Sequence, residues 1–599
     1  MESEQGDLDL QHYYSERKAQ YGELLNREQR VLNRIAILRL AVIILAVYFL
    51  FLAGRTTTPL FYGLSGMMVI LFVALVAYFK NHADRRALYR ELVKLNEQEL
   101  RCLEHDFTNQ PDGREYIDHT HPWSWDMDLF GEGSLYQYLN RTATQEGPSH
   151  LAGLLTTRPA DPHTVPGRQE VLKELASRTS FRQHYVSRAR LMETLNQSVE
   201  GVVNWAETPS YIDRKRWLYP VTLLMTGIAS GLIIGGIFNP SLFRFLLPLV
   251  LVNFFLLGLF VSRTNQYHAR FSNRHKFLSN YARLMELIAA QSFESNALQE
   301  DRQRAAEGYR AVKKLSSLLN LFDQRLNLLV GLGLNMLFLF DYHMIHRLEQ
   351  WKRAHRDRLP GWIEGVHRMD AQVSLAGFAA NHPDCTWPVL DPGMTGIEAA
   401  EMGHPLIPPK QRVDNTLRVE REKVVLITGA NMAGKSTFLR SVGINMVLAY
   451  AGCPVCASAF RSGYYELFTS MRTTDSLKDR ESYFLAEIRR LKRAVEMMEQ
   501  GVPLLILLDE VLKGTNTTDK QKGSIGLIQK ALSYRVLGFI ATHDLTLGKL
   551  EKEHPGEVVN YCFESYINDL ELSFDYTIRP GLAKNMNASF LMKKMGIMK

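Results

Sequence analysis

Cysteine is scarce: the 599 residues hold five, Cys102, Cys385, Cys453, Cys456 and Cys562. So odd and sparse a set excludes a disulfide-framework protein and suits a reducing compartment. Cys453-Pro-Val-Cys456 has redox or half-zinc spacing. No second such pair and no paired histidines accompany it, so two buried small residues are expected there. Glycine (40) and proline (22) are too few for a collagenous or low-complexity chain. Neither sign of charge dominates: 70 Lys and Arg against 63 Asp and Glu leave +7. That balance tolerates an anionic partner without pointing to one. Residues 1–9 are acidic and polar, the wrong start for a cleavable secretion signal. The length is too great for one ordinary domain and fits about three to four.

What is abundant is apolar sequence gathered into blocks with almost no charge, Arg39 alone lying inside one of them. Four membrane spans are expected in two hairpins, at about 35–54 and 59–79 and at about 217–238 and 245–262. Each approaches the ~20 residues that cross ~30 Å of hydrocarbon. Arg27, Arg30, Arg34 and Arg39 precede the first span and Lys80, Arg85 and Arg86 follow the second. Arg214, Lys215 and Arg216 precede the third, and Arg263 and Arg270 follow the fourth. Positive-inside bias puts these flanks in the cytosol: a multi-pass protein of the cytoplasmic membrane with both termini inside. Gly227, Gly231 and Gly235 form a stripe that is expected to receive a neighbouring helix. Residues 326–340 are apolar but short, and are expected as a buried helix. The polar stretches 13–34 and 83–105 read as paired stalk helices, and 181–211 and 271–319 as long amphipathic helices.

From about residue 385 short apolar strands alternate with helices. Val424-Val-Leu-Ile-Thr428 reads as a buried strand, followed by Gly429-Ala430-Asn431-Met432-Ala433-Gly434-Lys435-Ser436-Thr437 and a helix. This is GxxxxGK[ST] in the strand–loop–helix setting where backbone N–H groups cradle phosphates. The pattern assigns nucleotide phosphates to 429–437, with Lys435 on the β/γ-phosphates and Ser436 on Mg²⁺. A second strand, 503–508, ends in Asp509 and Glu510. Asp509 suits the Mg²⁺ shell, and Glu510 suits positioning or deprotonating an attacking water. A third strand ends in His543, placed to meet the γ-phosphate or that water. The cofactors expected are ATP and Mg²⁺, and the activity is Mg-dependent ATP hydrolysis. An ABC-type transporter unit also has a strand–Asp-Glu and a strand–His, but no LSGGQ-like stretch precedes Asp509.

The stretches TGANMAGKSTFLR, LLDEVLKGTNTTDK, ATHDLTLGKL and SFDYTIRPGLAKNMNASFLMKKMGI resemble, in order, the ATPase motifs of the MutS family. Gly403-His404-Pro405 resembles its short His-Pro motif, and Met369-Asp-Ala-Gln-Val-Ser-Leu-Ala376 the start of its connector. Residues 134–147 and 166–172 resemble the start of its helical lever. The resemblance covers about 125–218 and 263–599. It implies an α/β P-loop ATPase domain of ABC/MutS type plus an all-α lever domain, beside the four transmembrane helices. The divisions are 1–110 (stalk and first hairpin), 111–385 (lever with the inserted second hairpin) and 386–599 (ATPase). It implies a homodimer through the ATPase domains, with Asn516, where the family usually has Ser, approaching the partner's γ-phosphate. Residues 481–487 resemble the helix that couples nucleotide state to the levers, with Glu481 and Glu487 as its acids. The implied function is ATP-dependent DNA binding of mismatch-repair type, tethered to the lipid bilayer, with DNA and an unidentified membrane or repair protein as partners. The family's mismatch-reading domain and its Phe-x-Glu wedge have no counterpart in 1–110, and a membrane hairpin stands where the DNA clamp belongs. The alternative is a mechanochemical ATPase that couples lever motion to the membrane or a membrane partner.

Overall fold

The computed structural model describes residues 2–56, 58–193, 199–208, 218–258, 264–265, 267, 274–326, 328–421, 423–472, 483–568 and 571–584. Helix Glu2–Thr56 runs 55 residues unbroken, and Pro59–Leu103 returns beside it for 45. At 1.5 Å per residue the first is about 80 Å long, well over twice the thickness of a hydrocarbon core. Around the turn between them the apolar side chains face outward: Ile37 and Ile70 are 71% and 72% exposed. Two polar side chains of this hairpin meet partners within it. Ser65 Oγ donates to Ala46 O at 3.0 Å, and the Arg39 guanidinium lies over the rings of Phe72 and Phe79. Further along, Tyr21, Leu88 and Leu92 form a small core, and His82 meets Glu28. The polar stretches 13–34 and 83–105, called the stalk below, are thus paired helices.

The stalk is bonded into the helical body rather than standing apart from it. Tyr14 Oη donates to Asn381 Oδ1 at 2.6 Å, and Asn381 Nδ2 donates to Glu99 Oε2 at 2.8 Å. Arg141 Nε donates to Glu99 Oε1 at 2.7 Å, and both charges are buried. Beside them Arg17 donates to Gln183, and Gln183 donates to Asn96. The body itself packs Thr179–Glu193, Arg274–Ala289, Asn296–Phe322 and Leu359–Asn381 around Tyr185, Tyr281, Leu315 and Phe322. Burial holds the Glu99 carboxyl in competition with Arg141 and Asn381, and those partners prevail, keeping it below the usual carboxylate range.

The second hairpin comprises Leu218–Phe238 and Leu246–Gly258, joined by the 3₁₀ turn Pro240–Phe245. Among the described residues, four helices are long and apolar enough to cross a membrane, two in each hairpin. Phe238 at the turn is 85% exposed. The glycine stripe does not work as expected: a Cβ built at Gly227 or Gly231 meets nothing within 4 Å. Only Gly235 is approached, by Leu242 of the turn itself. The segment 326–340 also differs from a simple buried helix. Leu328–Phe338 packs along both hairpin helices, with Leu332 exposed. It breaks at Leu339, whose φ of 52° is left-handed, and Phe340–His355 starts at once. The carbonyls freed by the break are satisfied across helices. Asn253 Nδ2 donates to Met336 O at 2.8 Å, and Thr226 Oγ1 to Phe338 O at 3.1 Å.

The C-terminal unit holds two sheets. The smaller has the order β1-β5-β2-β3, from Val389–Asp391, Ala459–Gly463, Ile397–Met402 and Asn415–Val419. The larger has the order β10-β9-β4-β8-β7-β6. Its strands are β4 Val424–Gly429, β6 Glu466–Ser470, β7 Leu504–Asp509, β8 Val536–Thr542, β9 Val558–Asn568 and β10 Glu571–Pro580. All neighbours are parallel except β10 against β9. β4 and β8 are buried along their whole length, as continuous apolar runs between helical layers should be. In such a sheet the carboxyl ends of the strands form the ligand-binding edge. β4, β7 and β8 all end there, in Gly429, Asp509 and Thr542.

Candidate functional site

The glycine-rich loop joins β4 to the 17-residue helix Lys435–Ala451. The loop needs left-handed backbone: φ is 154° at Gly429, 67° at Met432 and 105° at Gly434. A Cβ at Gly429 would stand 2.7 Å from Phe563 O, so that position has no room for a side chain. Ala430 and Ala433 are buried, while Asn431 and Met432 are exposed at the loop's crest. Gly434 caps the helix, and Lys435, Ser436 and Thr437 form its first turn. The positive end of the helix dipole and the loop's curvature together favour an anion here.

Lys435 is 5% exposed, and its Nζ donates to Gly429 O and Ala430 O at 2.8 Å each. Burial pulls its ammonium below the usual lysine range, opposed by Asp509 and Glu510. Ser436 Oγ donates to Asp509 Oδ2 at 2.5 Å, which brings together two hard oxygen donors. His543 Nδ1 lies 3.0 Å from Gly429 O. A carbonyl only accepts, so Nδ1 carries hydrogen and Nε2 faces the Glu510 carboxylate, which it contacts. Two lone pairs would repel at that approach, so a proton lies between them. Glu510 is pushed down to about 2, first by this hydrogen bond and then by the charges of His543, Lys513 and Lys435 against the effect of burial. The residues read from the sequence as site candidates, Gly429–Gly434, Lys435, Ser436, Asp509, Glu510 and His543, lie together at one edge of one sheet.

Asn516 is engaged differently. It caps helix Thr517–Leu532: its amide oxygen accepts from Asp519 N–H at 2.9 Å, and its Nδ2 donates to Asp519 Oδ2 at 2.9 Å. Within the chain it is a helix cap. Glu487 also departs from a solvated acid. It is buried on helix Tyr483–Glu499, and its Oε1 accepts from Leu512 N–H at 2.5 Å. Burial raises its carboxyl above the usual range. The segment it holds carries left-handed φ at Glu510 (53°) and Leu512 (59°), so the turn presenting Glu510 is braced from outside. Glu481 lies outside the described residues.

Two acids with no sequence signal join this site to the helical body. Asp126 is fully buried and accepts from Thr469 Oγ1 at 2.7 Å, Arg472 N–H at 2.8 Å and Arg490 Nη2 at 2.7 Å. Asp128 pairs with Arg472 and with Arg440 of the helix behind the glycine-rich loop. Trp123-Ser-Trp-Asp-Met-Asp128 has no recognisable spacing, and its partners lie more than 300 positions away in sequence.

The C-terminal segment is similar to known proteins. The family model described as MutS domain V matches residues 425–594, the segment that carries the loop, Asp509, Glu510 and His543. Residues 425–594 thus match a MutS domain V, and over its matched segment the chain is similar to MutS proteins. It is 31% identical over 212 residues to the DNA mismatch repair protein MutS of Haloquadratum walsbyi, covering 34% of this chain and 22% of that protein. It is 31% identical over 251 residues to DNA mismatch repair protein MutS 2 of Halobacterium salinarum, covering 41% and 28%. It is 30% identical over 263 residues to DNA mismatch repair protein MutS of Chloroflexus aurantiacus, covering 42% and 27%. The chain thus spans about a quarter of the length of these relatives.

The Glu487 brace yields a test within the MutS domain. Glu487→Ala leaves the Leu512 N–H unpaired, and nucleotide turnover should fall about 10-fold or more with little change in KM, since a charge-assisted bond is worth about 1.5–3 kcal/mol. Glu487→Gln keeps an acceptor and should lose far less. Steady-state kinetics checks both; equal losses in the two variants would show that the bond is not what matters.

Proposed function

We propose that this chain is a membrane-anchored ATPase of MutS type. The observation that supports it best is the convergence of Lys435, Ser436, Asp509, Glu510 and His543 around the glycine-rich loop. The oxygen pair of Ser436 and Asp509 fits a hard cation, and these residues would hold Mg²⁺ with ATP. Bound there, the ion would neutralise phosphate charge. The loop's backbone and Lys435 bind and orient the phosphate chain. Glu510 exchanges its bond with His543 for one with the attacking water and accepts that water's proton on a carboxylate oxygen. His543, anchored to Gly429 O, offers its Nε2 proton to the developing charge. Two such chains would form a homodimer through their MutS domains, each Asn516 near the other's γ-phosphate.

Glu510→Gln should bind ATP and turn it over on the order of 10²-fold more slowly, the scale of a general-base effect. Lys435→Ala should weaken nucleotide binding itself. Fluorescent-nucleotide titration and phosphate release separate the two, and near-normal turnover in Glu510→Gln would sink the assignment.

Both hairpins are read as inserted in the cytoplasmic membrane, with the termini, lever and ATPase in the cytosol. The 21 residues of Leu218–Phe238 span about 31 Å, close to the hydrocarbon thickness. Cysteine reporters in intact cells should label from outside at Thr58 and Ser241 and stay protected at His12 and Lys549. External labelling at His12 would overturn this topology.

DNA is the ligand that the relatives' names support, with ATP gating its binding. The lever's apolar tip supports the second reading, in which nucleotide-driven lever motion works on the membrane or a protein within it. Any DNA contact must then use cytosolic Lys and Arg on phosphates, without a wedge in a mispaired base. Competition binding in nanodiscs near physiological salt should show weak, steeply salt-dependent affinity with less than ~10-fold mismatch preference, about 1.4 kcal/mol. A larger preference would restore a mismatch reader, and no binding at low salt would leave the membrane-coupled reading alone.

A further inference from the structure

The CxxC spacing at 453–456 pairs the wrong cysteines. Thr386 and Val455 form an antiparallel bridge: Thr386 N–H donates to Val455 O at 3.1 Å, and Val455 N–H to Thr386 O at 2.8 Å. Residues that exchange both bonds are the hydrogen-bonded pair of a ladder, so their outward neighbours, Cys385 and Cys456, form the non-hydrogen-bonded pair. Such pairs hold their Cα atoms roughly 4.5 Å apart with both side chains on one face. That falls within the roughly 4.4–6.8 Å a disulfide spans. The two thiols lie close enough to shift each other's proton affinity. Cys453 is buried elsewhere, near Arg168, with its backbone N–H bonded to Leu448 O.

We propose that Cys385 and Cys456 are an oxidative modification site, at which a hydroperoxide converts the two thiols into a cross-strand disulfide. The Cys456 sulfur attacks the terminal peroxide oxygen; the O–O bond breaks, an alcohol or water departs, and Cys456 becomes a sulfenic acid. The Cys385 sulfur then attacks that sulfur; the S–S bond forms, the S–O bond breaks, and the hydroxyl leaves as water with the Cys385 proton. Two thiols lose two electrons, and the peroxide gains them. The first step is assigned to Cys456, whose thiol is pulled below its usual range by Cys385 and then by the Arg412 charge, against the opposing effect of burial. Cys385 is half-buried and opens the pair to solvent on one side.

The bond would staple two parts of the molecule that nucleotide-driven motion must separate or slide. Cys385 lies four residues beyond Asn381, the end of the long lever helix that also holds Tyr14 and Glu99. Cys456 is fixed to the helix behind the glycine-rich loop: its N–H donates to Asn445 Oδ1 at 2.8 Å. Asn445 Nδ2 donates to Gly403 O at 3.0 Å, and Gly403 N–H returns to Cys456 O at 2.9 Å.

The test needs no assumption about ATP. The full chain in detergent is treated with hydrogen peroxide, free thiols are blocked, and the denatured protein is titrated and mapped by mass spectrometry. Thiols should fall from five to three, with the 385 and 456 peptides linked, and a reductant should restore all five. Cys453→Ser should still form the link, and Cys385→Ser should not. Five thiols surviving in folded wild-type protein, or a 453–456 link, would overturn the proposal whatever the variants do.

Discussion

The most deeply buried tie between the loop-bearing edge and the helical body is the carboxylate of Asp126. It has no access to water, so its charge is tolerable only while its donors stay in place. All three come from the C-terminal unit: the β6 threonine Thr469, the backbone after it at Arg472, and Arg490 on the helix that also carries Glu487. Two residues on, Asp128 reaches Arg440 on the helix that starts with Lys435. A shift of that helix or of Tyr483–Glu499 therefore either carries 120–128 along or strands a charge in the interior. Stranding costs several kcal/mol, so the body should follow.

The same device is used again at the other end of the body. Glu99 from the stalk, Arg141 from the body and Asn381 at the end of the long helix share one buried set of hydrogen bonds. Apolar contacts alone would let a helix slide by a residue at little cost, because one methyl replaces another. A buried ion pair with fixed donors admits one register. The Tyr14 hydroxyl, burdened first by burial and then by the Glu99 charge, is held far above its usual range and serves only as a donor to Asn381. Stalk, body and C-terminal unit are thus joined by polar contacts that transmit displacement.

What could be read in the sequence was what local pattern dictates. Apolar runs of about 20 residues gave the four long apolar helices, because such a run is legible in contiguous sequence. The strand before Gly429 and the strand before Asp509 were legible because a parallel sheet buried on both faces leaves unbroken apolar runs. The glycines mark backbone that only they adopt cheaply. What stayed hidden depends on pairing across long separations. Cys456 has Cys453 as its sequence neighbour, yet a strand bridge gives it Cys385. Glu487 looks like one more acid on a charged helix, and only the tertiary fold aims it at Leu512. The glycine stripe of the third apolar helix was read as a packing surface, whereas within the chain only its last member is approached, and by the adjoining turn. The break at Leu339 was equally unreadable, because its stabilising groups, Asn253 and Thr226, sit on helices much earlier in the chain.

On the proposed membrane placement, the positions of the two hairpins limit what the body can do. One hairpin extends from the stalk, which Tyr14 bonds to Asn381; the other is held by Asn253 and Thr226 against Leu328–Phe338. A body fixed to one bilayer at two points cannot rotate freely about either. Motion started at the glycine-rich loop and passed on through Asp126 must appear as a relative displacement of the two hairpins, or as bending between them. The left-handed break at Leu339 is the one place among the described helices of that end where a continuous rod is interrupted inside apolar surroundings. Helix rods resist bending, while a break whose carbonyls are held by two side chains can shift by exchanging those bonds. The work of an ATP cycle would therefore be felt first at the lever tip, inside the bilayer.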